Sequence, residues 1–114
     1  MQSTHDLPLF QKSYDTYKNL HNLIKKYPKN ERYSLGEKSE RLCLDIIEEI
    51  IIAGRSKREW KIPSIEKALT KSELLKVFVR LAYETHCINE KQYLRVESSF
   101  QEIGRMLGGW KRSI

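Results

Sequence analysis

Two cysteines, three prolines and five glycines are all that these 114 residues hold of the types that staple, break or loosen a backbone. So few cysteines exclude a disulfide scaffold, and Cys43 and Cys87 stand at no zinc-ligand spacing. They read as structural, unpaired thiols inside helices, which fits a reducing compartment, and a cytoplasmic protein is expected. No run of 18 apolar residues occurs, so no membrane-spanning helix is expected. The opening Met-Gln-Ser-Thr-His-Asp has no basic stretch followed by an apolar run, so no secretory signal is expected, and the first six residues read as a frayed end. A Gly-rich phosphate loop and a Ser/His/Asp constellation are both missing. His86 and Cys87, being adjacent, would point about 100° apart on a helix and cannot share a metal. His5 falls in the frayed end, and His21 reads as a surface residue of the first helix. The carboxylates Asp45, Glu48 and Glu49 share a stripe, but a di-metal bundle site needs Glu-x-x-His pairs and none exists here. A solvated acidic face, or a salt-bridged contact with a basic neighbour, is the better reading. Neither an enzyme nor a cofactor nor a metal is expected.

Helical periodicity is abundant. The organising stretch is 34–54, which opens on a capping box, Ser34 with Glu37, although Asn30 is a second candidate cap. Leu35, Leu42, Ile46, Ile50 and Ala53 recur at helical spacing, Cys43 and Ile47 run beside them, and Gly54 is expected to end the helix. Leu44 and Ile51 widen the apolar arc beyond the single face of roughly 100° that a small monomer needs. That excess predicts an oligomer, with Leu44, Ile47 and Ile51 against a neighbouring copy. Upstream, Phe10, Tyr14, Tyr17, Leu20, Ile24 and Tyr27 step by three or four until Pro28. Downstream, Ser64 is expected to open a third helix with Ile65, Ala68, Leu69, Leu75, Val79 and Ala82 on one line and Leu74, Phe78 and Leu81 on the next. Thr70 and Glu73 form a second capping box that would allow a break there. Asn89 and Gln92 form a third, before a stripe of Tyr93, Val96, Phe100, Ile103, Leu107 and Trp110; Gly104 and Gly108 would let a neighbouring helix approach closely. The expected fold is all-α: one domain over 1–114, an up-and-down antiparallel four-helix bundle with helices near 8–27, 34–53, 64–87 and 90–111.

The net charge of +6 is unevenly spread. Basic residues outnumber acidic ones five to two in 1–30, seven to three in 55–76 and six to four in 77–114, but the balance is three to six in 31–54. The central helix is acidic and its surroundings are basic, as suits a phosphate backbone, although many basic proteins are merely soluble. The most basic stretch, 55–63, is expected to be a loop carrying Arg55, Lys57, Arg58 and Lys61 around Trp60. It reads either as a phosphate-binding loop with a stacking aromatic or as a solvated loop whose Trp packs over the bundle end. Lys67, Lys71 and Lys76 are expected mostly on one exposed face, with Arg80 a turn beyond. Lys25, Lys26 and Lys29 end the first helix and Lys111 and Arg112 the last, completing the candidate cations.

Three stretches carry a resemblance. Arg-Tyr-Ser-Leu-Gly-Glu-Lys at 32–38, leading into the apolar helix to Ala53-Gly54, resembles the second helix of the bacterial four helix bundle protein superfamily. That group includes the ribosomal-RNA intervening-sequence proteins and Avd, the accessory variability determinant of diversity-generating retroelements. Glu-Ile-Gly-Arg-Met-Leu-Gly-Gly-Trp at 102–110 is similar to the Avd ending, and Leu75-Lys-Val-Phe-Val-Arg-Leu81 to its third helix. The Ile-Ile-Ile-Ala-Gly end of helix two lacks the Asn and Glu usual in the intervening-sequence branch, which favours Avd. The Avd resemblance implies a ring-like or barrel-like homopentamer that binds the retroelement reverse transcriptase and its RNA, from the template-repeat region or as an RNA/DNA hybrid, and supports mutagenic retrohoming. The other branch would imply a structural oligomer with no nucleic-acid role.

Overall fold

A computed structural model describes residues 7–114, so the frayed-end reading of 1–6, His5 included, lies outside the described residues. Helix α1 is Pro8–Ile24, with Pro8 in the first turn where its missing N–H costs nothing. Its buried line is Leu9, Ser13, Thr16, Leu20 and Ile24, which leaves Tyr14 exposed and Phe10 and Tyr17 half-buried at the edges. Tyr27, past the helix end, is buried in the core.

After Pro28 the chain turns helical at once. A single turn α2 (Lys29–Glu31), a π-helical segment (Arg32–Gly36) and α3 (Glu37–Arg55) form one continuous rod. The capping box expected at Ser34 does not form: Ser34 lies inside the rod and its hydroxyl donates to the Asn30 carbonyl. The π-turn is marked by the Glu37 N–H, which donates to the Arg32 carbonyl five residues back. Gly36 makes this fit, since a Cβ there would stand 2.7 Å from Ile24 Cγ2. Gly54 does not end the helix either, and no glycine among the described residues has positive φ. Two side chains close α3 instead: Ser56 Oγ donates to the Ile52 carbonyl and Lys61 Nζ to that of Ala53.

The link to the next helix is only Ser56–Lys57, because α4 is Arg58–Glu84. The expected loop at 55–63 is therefore the end of one helix and the start of another. Pro63 stands sixth in α4, near enough to the N-terminus that its missing N–H orphans one carbonyl, that of Glu59. No break occurs at Thr70, whose hydroxyl donates to Glu66 in an unbroken helix. The helix stops at Glu84 rather than near 87, so Cys87 is not helical. His86 takes φ 67°, its N–H donates to Tyr83, and the Cys87 N–H donates to Ala82. That is a Schellman ending with histidine in the place glycine usually takes. The capping box at Asn89 and Gln92 forms as expected, opening α5 (Glu90–Arg112).

The architecture is all-α, with four antiparallel rods and, among the described residues, no strand. The molecule measures 43 × 22 × 21 Å. Ile46, Ile50, Leu75, Val79, Phe100, Ile103 and Leu107 centre the core. Helix α3 has α1 on one flank, through His21–Glu40 at 2.6 Å, and α4 on the other, through Asp45–Lys71 at 3.2 Å. Among the described residues no helix is long and apolar enough to cross a membrane.

Candidate nucleic-acid interface

Antiparallel packing sorts the candidate cations by helix end. Because α3 descends and α4 climbs, Arg55, Lys57, Arg58 and Lys61 share one end of the bundle with Lys111 and Arg112 of α5. The contacts confirm this: Arg58 Nη2 donates to the Ile114 carbonyl at 2.5 Å, Lys61 Nζ lies 6.0 Å from the Trp110 ring centroid, and Lys111 pairs with Glu66 at 3.6 Å. Lys25, Lys26 and Lys29 sit at the opposite end, and Lys67, Lys71, Lys76 and Arg80 run along α4, so the candidate set is two poles and a row between them rather than one patch.

These cations are not equally free. Lys61 is spent on the end of α3, Arg58 on the chain's last residue, Lys71 on Asp45, Lys76 on Glu73 and Arg80 on Glu84. Lys76 also leaves the face expected for it, since five residues after Lys71 an α-helix has turned roughly 140° off. Arg55, Lys57 and Arg112 are exposed at the six-cation pole and make no ion pair among the described residues. Lys67 is exposed on α4 beside Thr70 and Lys71.

Trp60 does not take the place that the solvated-loop reading gave it. It is 65% exposed and does not pack over the bundle end; that position belongs to Trp110, half-buried against the core. The indole is exposed on the first turn of α4, close in sequence to the unpaired Arg55 and Lys57.

Several residues escaped the sequence reading. Arg105 is exposed on α5 and Arg32 donates to the Tyr27 carbonyl; both are single basic residues outside any cluster, so charge counting gave no signal. Glu49 is buried rather than part of a solvated acidic stripe, while Glu48 is exposed and Asp45 is salt-bridged. Among the described residues no three His, Cys, Asp or Glu side chains gather into a metal-holding group. Gly104 and Gly108 admit no helix within the chain, since nothing stands near Gly104 and only the Arg112 side chain approaches Gly108.

Two apolar strips lie at the surface. Leu44 is exposed and Ile47 and Ile51 are half-buried, on the α1 flank of α3. A second strip, Leu74, Val77 and Leu81 with half-buried Phe78 between them, lies exposed on α4. Ala68, Ser72, Leu75, Val79 and Ala82 turn to the core, so the neighbouring row of Leu74, Phe78 and Leu81 is left at the surface.

Fold and composition define a class, that of small, basic, all-α four-helix bundles. The bAvd-like family model matches residues 7–114, and the chain belongs to the bAvd-like family. It is an accessory protein of the Avd type, from a family that is in general non-catalytic. No curated protein matches the chain.

Proposed function

We propose that this protein is the non-catalytic accessory subunit of a diversity-generating retroelement, binding the reverse transcriptase and its RNA through its basic surface and supporting mutagenic retrohoming. The observation that carries the reading is the pole where Arg55, Lys57 and Arg112 stand unpaired beside exposed Trp60. Lysines and arginines on phosphates supply affinity that falls with salt, about 0.7 counterion released per phosphate on a single strand. The indole adds sequence-tolerant stacking.

Two apolar strips support an assembled state. A closed ring needs a head-to-tail contact, in which one surface of each copy meets a different surface of the next. The α3 strip, Leu44 with Ile47 and Ile51, and the α4 strip, Leu74 with Val77 and Leu81, are two such surfaces on one chain. We read them as the two halves of a ring contact in a homopentamer. Repetition of the pole around the ring turns a weak patch into avidity.

The test is RNA binding at several salt concentrations. Replacing Arg55, Lys57 and Arg112 together by Glu is expected to weaken binding and to flatten the log–log salt slope by about two, three phosphate contacts being lost. Trp60→Ala is expected to weaken binding with the slope unchanged. A triple variant that keeps the wild-type affinity and slope would overturn the assignment of the pole.

A further inference from the structure

The α1/α5 seam holds a feature that the basic pole does not use. These two helices touch each other least of the four adjacent pairs. On the α1 side the short Thr16 side chain faces this seam, while α5 presents Val96 to it, and the space between them is left unfilled. A cleft of about 210 Å³ opens between the helices, towards the end away from Trp60. Its walls include Leu23 and Val96, and its polar groups are Asn19, Asn22, Arg95 and Ser99 with Thr16 and Gln92, whose side chains are already bonded to the Lys12 carbonyl and within the Asn89 capping box.

The composition is selective. No carboxylate lines the cleft. Arg95 makes no ion pair and the side-chain amides of Asn19 and Asn22 have no hydrogen-bond partner among the described residues. Ser99 donates to the Arg95 carbonyl and keeps its oxygen lone pairs. An aliphatic wall beside two free amides and a free guanidinium matches the chemistry of one unstacked nucleotide. The apolar side chains and the guanidinium plane take the base face, the amides take its edge, and the charge favours the phosphate. The volume suits one base and not a stack.

We infer that the α1/α5 cleft binds a single extruded nucleotide of the RNA and reads its base edge through Asn19 and Asn22. The inference rests on the RNA-binding reading above and adds base selectivity, which lysines and arginines on phosphates cannot supply.

The experiment compares binding of the intact protein to oligo(A), oligo(C), oligo(G) and oligo(U) of equal length. Wild type is expected to prefer one homopolymer by about tenfold, the discrimination of a modest base-edge contact. Asn19→Ala with Asn22→Ala is expected to level the four affinities while leaving the salt slope unchanged. Both side chains are exposed, so the fold should tolerate the change. As a second readout, titration with the preferred mononucleotide should shift the side-chain amide NMR signals of Asn19 and Asn22. Equal wild-type affinities for the four, or a preference surviving the double variant, would overturn the cleft and leave the basic pole standing. Loss of all RNA binding in wild type would overturn both.

Discussion

Cys43 shows how a single residue is set by its surroundings. It is 1% exposed, and burial first, then the nearby Glu40 charge, pushes its thiol up from 9.0 to about 12. Tyr27 is likewise pushed up from 10.0 to about 12 by burial, with Cys87 adding to it. Both groups hold their protons more tightly folded than unfolded. Their contribution to stability is therefore whole below about pH 9 and is lost as pH rises from there toward 12. Alkaline unfolding followed by circular dichroism should show a steep loss in that window, shallower in Cys43→Ala. Native alkylation at pH 8 should label Cys87 well before Cys43. The glycines make a matched pair. Gly36→Ala drives a Cβ against Ile24 and should cost about 1–3 kcal/mol. Gly104→Ala meets nothing within the chain and should gain about 0.5–1 kcal/mol from helix propensity. Thermal melts would rank the two; a destabilised Gly104→Ala would mean that a neighbouring copy packs there.

At the scale of elements, most misreadings concern where helices stop. Ser34 and Thr70 look like caps, yet each donates its hydroxyl back to a carbonyl four residues earlier inside a continuous helix. Pro63 looks like a boundary, yet α4 runs through it because the packing of Ile65, Ala68 and the residues beyond outweighs one lost hydrogen bond. Replacing Pro63 by Ala restores that bond to Glu59 and should raise stability in denaturant titration by about 1–3 kcal/mol. A destabilised variant would show that the proline ring itself is packed. The Asn89–Gln92 box was legible because both of its reciprocal bonds lie within four residues of sequence. The Schellman turn at His86 was not, since no glycine announces it and only the return of the chain to pack Ile88 fixes the left-handed residue.

For the whole molecule the informative property is the pairing of two unlike apolar strips. If they meet head to tail, Leu44→Glu spoils one side of the contact and Val77→Glu the other, and each variant alone should fail to form the ring. Mixed together they should form a dimer and stop there, because each keeps one sound surface that fits the other's. Light scattering on a sizing column would read this directly. Self-closure of either variant, or rings from the mixture, would contradict a head-to-tail contact.

Helix content, the four-rod plan and the apolar excess were all written into periodicity, because spacing of 3.6 residues is a local property that folding keeps. The residues of the basic pole were likewise visible one by one as Arg55, Lys57, Trp60 and Arg112. Their union was not, because the last turn of α5 meets the α3–α4 junction only when the helices pack antiparallel. Which cations stay free was also decided in three dimensions: Lys71 looks like Lys67 in sequence, but Asp45 on the facing helix claims it. The cleft at Asn19, Asn22 and Arg95 left no trace in the sequence at all. It exists because the side chains facing each other across α1 and α5, Thr16 among them, do not fill the space between the helices, and a gap between surfaces is a property of neither segment alone.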